Sequence, residues 1–199
     1  MTFFVILEIL GTLAFAISGI RLASAKRFDW FGAYVVGFTT AVGGGTLRDL
    51  MLSVTPFWML DITYLIVTAA AMLIVVGFGR YLIRLNNTFF IFDAIGLGLF
   101  TVVGIEKTLA ADFSLWVAVI MGTITGAAGG VLRDIFINEE PLIFRKEIYA
   151  LACVFGGVVF WICSEIGIEG AALQTVTAVS VIAARVVAVH FGLKLPILK

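Results

Sequence analysis

Charge is scarce in this 199-residue sequence: Asp, Glu, Lys and Arg make up 13% of it, against about a quarter in soluble domains. That shortage, with 62% hydrophobic residues and a mean hydropathy of +1.15, excludes an ordinary soluble domain and points to a polytopic membrane protein. The net charge is zero and no lysine-rich tract occurs, so neither nucleic acid nor recruitment to a membrane by charge alone is implied. A single histidine, His190, has no Cys, His or Asp at ligand spacing; it reads as an interface residue, and no metal or other cofactor is implied. The two cysteines, Cys153 and Cys163, share one apolar segment and read as small hydrophobes rather than a disulfide. Phosphate-binding glycine loops, metal-binding helix motifs and nucleophile elbows are missing, which argues against an enzyme. No span repeats arginine at every third residue, as a voltage sensor does. Thr40-Ala41-Val42-Gly43-Gly44-Gly45 lacks the Tyr-Gly ending and pore helix of a potassium-channel filter. The N-terminus lacks a basic region and a persuasive cleavage site, so its apolar stretch reads as a first span and not a removed signal.

What the sequence does have is apolar length. At about 20 residues per crossing, seven spans are expected near residues 3–23, 30–50, 60–79, 88–107, 114–135, 148–165 and 172–192. The fold class is all-α: a seven-helix membrane domain covering 1–199. Lys26, Arg27, Arg80, Arg84, Arg145, Lys146, Lys194 and Lys199 fall on one side of these spans. Asp61, Asp112, Glu165 and Glu169 fall on the other, with Lys107 as the one flanking cation. The positive-inside rule then puts the N-terminus outside and the C-terminus in the cytoplasm of a cell-membrane protein.

Two phrases stand out, Gly44-Gly45-Thr46-Leu47-Arg48-Asp49 and Gly129-Gly130-Val131-Leu132-Arg133-Asp134, 85 positions apart. The same offset pairs Gly11 with Gly96, Phe15 with Phe100, Gly19-Ile20 with Gly104-Ile105 and Phe28 with Phe113. It also pairs Ala33 with Ala118, Gly37 with Gly122, Thr40 with Thr125, Pro56 with Pro141, Tyr64 with Tyr149 and the acid Glu8 with Asp93. A duplication follows, with repeat one over about 3–79, repeat two over about 88–165 and an unpaired seventh helix at about 172–192. A unit of three spans places its copy upside down in the bilayer, an architecture in which the site lies near the midplane between the repeats.

Ionisable residues at membrane depth mark function by default, which singles out Arg48, Asp49, Arg133 and Asp134. Trp30 to Leu60 contains only Arg48 and Asp49 as charges and as one helix would run roughly 46 Å, beyond a core of about 30 Å. A break at Gly43, Gly44 and Gly45, and likewise at Gly129 and Gly130, is the expected relief, beside a wet cavity. Helix neighbours at i and i+1 do not face each other, and the inverted symmetry offers Arg48 with Asp134 and Arg133 with Asp49 as candidate partners. Two readings stand: closed ion pairs that lock the halves together, or guanidinium groups lining a narrow aqueous path and oriented by the carboxylates. Thr40 and Thr125, one turn before the glycines, are candidate pore hydroxyls or bond their own backbone. Small residues at Gly37-Ala41-Gly45 and Gly122-Gly126-Gly130 suit close helix packing. Glu8 and Asp93 are either vestibule anions or partners of a helix N-terminal dipole. Arg21, Glu106 and Lys107 are placed to snorkel, whereas Arg185 lies deeper with no partner named by its neighbourhood.

The duplicated three-span unit, the seventh span and the two Gly-Gly-x-x-Arg-Asp phrases together resemble a prokaryotic member of the trimeric intracellular cation channel family, across essentially the whole chain. The resemblance implies a homotrimer in membrane lipid, one hourglass pore per subunit, and conduction of monovalent cations, chiefly K⁺. It places glycine-kinked second and fifth spans at Gly44, Gly45, Gly129 and Gly130, with Arg48 and Arg133 at the constriction. Relatives have also been described as glycine transporters, and a zwitterion would suit an Arg and Asp pair, so a carrier of glycine or a similar solute is the alternative.

Overall fold

A computed structural model describes residues 3–84, 88–145 and 148–195. All elements among them are helical: α1 (Phe3–Ala25), α2 (Trp30–Met51), α3 (Phe57–Leu60), α4 (Thr63–Arg84), α5 (Thr88–Ala110), α6 (Leu115–Phe136), a 3-10 turn (Leu142–Phe144), α7 (Ala150–Glu165) and α8 (Gly170–His190). Four stretches are long and apolar enough to cross a membrane: Phe3–Ala25, Phe89–Ala110, Leu115–Phe136 and Gly170–His190. Thr63–Phe78 and Ala150–Glu165 are apolar but shorter, and α2 is diluted by its glycines, threonines and Arg-Asp. Large apolar side chains cover the outside, Leu73 and Trp116 being 72% and 70% exposed. A patch of that extent suits lipid rather than water. Lys146 and Lys199, and the side chains of Arg80 and Arg84, used above for orientation, lie outside the described residues.

Bounds 85 positions apart coincide: α1 with α5 and α2 with α6 at both ends, and the start of α3 with that of the 3-10 turn. The turns follow suit. Arg27 and Asp112 (φ 61° each) and Ser53 and Asn138 (φ 58° and 55°) hold the left-handed conformation that ends helices by satisfying their last carbonyls. Contacts are reciprocal too. Phe15 and Phe100 stack at 5.5 Å, a Cβ on Gly11 would meet Phe100, and one on Gly96 would meet Phe15. The α1–α5 centre is thus an aromatic pair seated in two glycine notches.

The glycines do not interrupt their helices: α2 and α6 are helical throughout, and the glycines serve close approach. A Cβ on Gly44 would lie 2.1 Å from the Thr125 carbonyl oxygen, and one on Gly129 would lie 2.3 Å from that of Thr40. The excess length is absorbed elsewhere. The 22-residue α2 ends at Met51, about 33 Å long, and the chain turns through Pro56 into α3. Glycines 37 and 122 perform the same service one helix over, against Ile20 of α1 and Ile105 of α5. Cys153 is buried and Cys163 half-buried, both free. His190 is exposed.

Candidate functional site

Each Arg-Asp phrase lies in the last turn of its helix, about 6 Å along the axis from the glycine crossing at 1.5 Å per residue. The first follows Gly44 and the second Gly129, so the two arginines flank the crossing, and among the described residues they share no hydrogen-bond partner. In place of the candidate cross-pairs, Arg48 donates from Nε and Nη2 to Oδ1 of its own neighbour Asp49 (2.9 and 2.7 Å), and Arg133 donates from Nε to Oδ1 of Asp134 (2.9 Å). Backbone explains it. The other oxygen of Asp49 accepts from the Phe57 amide (2.8 Å) and that of Asp134 from the Leu142 amide (3.0 Å). Each aspartate therefore tethers the chain beyond its helix and turns toward the arginine, whose long side chain folds back where shorter neighbours on a helix could not meet. Both guanidinium groups are fully buried, over Phe57 at 5.7 Å and Phe89 at 5.2 Å.

The halves differ in what else they hold. Arg133 also donates from Nη1 to Ser18 (2.9 Å) and to Asp93, whose Oδ1 further accepts from the Tyr149 hydroxyl (3.5 Å). In the first half the acid goes elsewhere: Glu8 accepts from the Tyr64 hydroxyl (3.1 Å) and pairs with Lys107 (2.6 Å). Arg48 Nη1, Arg133 Nη2 and Asp93 Oδ2 have no hydrogen-bond partner among the described residues.

The geometry gives the other singled-out residues partners. Glu8 and Asp93, 5% and 0% exposed, are buried ion-pair partners of Lys107 and Arg133. Thr40 and Thr125 are also buried, and their hydroxyls donate to the carbonyls of Val36 and Met121 (2.6 Å each), so they are spent within their helices. Lys107 does not snorkel, Glu106 accepts from Gln174 (3.1 Å), and Arg185 donates to the Ile148 carbonyl (2.9 Å) over the rings of Phe90 and Tyr149. The site residues missed by sequence reasoning are Ser18, Phe57, Phe89, Tyr64 and Tyr149; the two tyrosines were visible as an offset pair but had no stated role.

Two cavities flank the buried charges. One, of about 180 Å³, is lined by Leu22, Ala25, Lys26, Phe89, Asp134 and Arg145 among others. The second, of about 240 Å³, is lined by Phe4, Glu106, Lys107, Ala110 and Gln174. Leu22, Ala25 and Phe89 of the first correspond by the 85-residue offset to Lys107, Ala110 and Phe4 of the second. At the first mouth Lys26 and Arg145 both hold Glu139. The Lys26 hydrogen bond and charge keep the Glu139 carboxyl below the usual glutamate range. A depressed folded-state pKa stabilises above the unfolded value and fades as pH falls through the folded one, so this latch holds at neutral pH and opens only in acid. Titration of Glu139 followed by NMR should show a midpoint below that of an ordinary glutamate in the native chain and a rise toward the ordinary range in Lys26→Met, where Arg145 alone remains; an unmoved midpoint would refute the assignment.

A family model described as Glycine transporter matches residues 5–80 and again 90–165, segments themselves 85 positions apart. The UPF0126 inner membrane protein YadS of Escherichia coli is 40% identical over 195 residues, 96% of this chain and 93% of YadS. A solved TRIC cation channel is 35% identical, with a TM-score of 0.86 over 99% of this chain and 98% of that one. The chain belongs to the TRIC and UPF0126 membrane protein family. The TRIC trimeric intracellular cation channel orthologue from Rhodobacter sphaeroides superposes with a TM-score of 0.90 at 31% identity, covering 97% of this chain and all of that one. The family resemblance drawn from the two Gly-Gly-x-x-Arg-Asp phrases therefore stands, and this TRIC-family chain is a multi-pass, all-helical membrane protein. The similar solved proteins are channels, not enzymes.

Proposed function

We propose that this chain is a K⁺-conducting cation channel of the cell membrane, assembled as a homotrimer with one path per subunit between two inverted three-helix repeats. The observation that carries the reading is likeness over nearly the full length, at 31–35% identity, to solved TRIC cation channels. The reciprocal contacts of α1 with α5 and of α2 with α6 support the inversion, and the offset-related cavities suit the two mouths of an hourglass. In this reading the N-terminus is outside, and the cavity with Lys26, Glu139 and Arg145 opens to the cytoplasm, where cationic flanks belong.

A fixed positive charge in a cation path repels K⁺, so the arginines must be neutralised or move. Asp49, Asp93 and Asp134 neutralise them here. Arg133, fully buried between Asp93, Asp134 and Ser18, is the closed gate; leaving Asp93 would free a carboxylate for a passing cation. Arg48 with Asp49 braces the other half, Thr40, Thr125, Gly43, Gly44 and Gly129 set how closely α2 and α6 cross, and Gly45 and Gly130 make room for Phe57 and Tyr149. The family description Glycine transporter favours a second reading, a glycine carrier, although both arginines already hold carboxylates that the substrate would have to displace. Purified protein in liposomes separates the two. K⁺ flux without saturable uptake of labelled glycine is expected, and glycine uptake without K⁺ flux would overturn the proposal. A detergent-corrected mass of one or two chains would contradict the trimer.

A further inference from the structure

We propose that Glu8, Phe4 and Phe57 form a binding site for a small monovalent cation, of the ammonium or K⁺ class, which the ammonium of Lys107 occupies as a tethered competitor. The proposal deepens the conduction reading, which makes the adjoining cavity one mouth of the path, but binding at the site can be tested without conduction.

The site is built around charge and aromatic faces. Lys107 Nζ lies 2.6 Å from Glu8 Oε1, 5.8 Å from the centre of the Phe4 ring and 5.1 Å from that of Phe57, within reach of the attraction between a cation and a ring face. The acid is held for this purpose: the Tyr64 hydroxyl donates to its second oxygen, and the Tyr64 ring packs edge-on against Phe57 at 4.5 Å. A buried carboxylate walled by two aromatic rings recognises a small cation.

Its present occupant is replaceable. The Lys107 side chain is 27% exposed whereas that of Glu8 is 6% exposed, so the site is reached from the lysine side, through the 240 Å³ cavity. Glu106 and Gln174 line that cavity and offer the ammonium other polar partners, at the end of a flexible four-carbon stem. The repeat itself does not require this lysine. Position 22, its counterpart, is leucine, and Asp93, the counterpart of Glu8, takes its cation from α6 as Arg133. One half of the chain thus has its acid closed by a fully buried arginine, and the other by a lysine that a solvent-borne cation can replace.

Lys107→Met vacates the site and leaves Glu8 in need of a cation. Purified Lys107→Met in detergent is heated in series of KCl and methylammonium chloride, against N-methyl-D-glucamine chloride at equal ionic strength. Its unfolding midpoint should rise by about 3–5 °C at cation concentrations near ten times the dissociation constant, while wild type and the double variant Lys107→Met/Glu8→Gln stay unmoved. A rise with K⁺ identifies the inorganic ion as a ligand, and a rise confined to methylammonium identifies an alkylammonium ligand. Should Lys107→Met fail to fold, Lys107→Gln carries the same comparison. No rise with any of these, or an equal rise in the double variant, overturns the site. Absence of K⁺ flux through wild-type protein in liposomes would remove the conduction reading while leaving this binding result as it is.

Discussion

Replacing Arg133 with methionine should lower stability by about 3–5 kcal/mol, the range for removing one partner of a buried ion pair, and it should cost more than the same change at Arg48. Arg133 is the only cation shown bonded to both Asp93 and Asp134 among the described residues, with Ser18 taking a further donor. Its loss leaves two buried carboxylates facing each other's field. Among the described residues Arg48 bonds Asp49 as its one carboxylate, and that carboxylate keeps its bond to the Phe57 amide when the arginine is gone. Adding Asp93→Asn to Arg133→Met should recover part of the loss, because residues sharing one network do not contribute additively. Under the proposed function, Arg133→Met also raises open probability. Unfolding in mixed detergent micelles checks the first point and bilayer recording the second; an Arg48→Met variant as unstable as Arg133→Met would show that the halves are not braced unequally.

Gly44→Ala and Gly129→Ala form the second large effect. The added methyl would sit 2.1 Å from one carbonyl oxygen and 2.3 Å from the other, and backbone of a packed helix cannot swing aside as a side-chain tip does. The helices must part, at a cost of about 1–3 kcal/mol typical of overpacking, or more. Gly43→Ala is the control within the same run. Its nearest neighbour is Cδ1 of Leu132 at 2.5 Å, the end of a flexible side chain, and alanine in place of glycine gains up to about 1 kcal/mol of helix propensity. It should be close to neutral. Combining Gly44→Ala with Gly129→Ala should cost less than the two single changes together, since the first already opens the crossing. The same unfolding assay decides this, and a Gly43→Ala variant as damaged as Gly44→Ala would refute the backbone-contact explanation.

Helix positions were legible because apolar runs of about 20 residues and the offset of 85 are properties of composition and register. The Arg-Asp phrases were legible as costly charges. Their partners were not, because side-chain direction depends on contacts far along the chain. Asp49 turns toward Arg48 only because the Phe57 amide, eight residues on, holds its other oxygen. Arg133 finds Asp93 across 40 residues and Ser18 across 115, and at position 103, the counterpart of Ser18, the sequence has valine, so strict symmetry would have denied that bond. The glycines are a place where helices touch; a break and a close approach both require a missing Cβ, so the sequence pattern alone does not reveal the contact. Lys107 stood out only as the lone cation on the wrong side, which flagged it without revealing that Glu8 lies buried beneath it.

The most direct test of the central proposal is single-protein recording in planar bilayers with a KCl gradient. Discrete unitary currents that reverse near the K⁺ equilibrium potential, with a gating pattern altered by Arg133→Met, are expected. A silent bilayer from folded, trimeric protein, or currents reversing at the Cl⁻ potential, would contradict it.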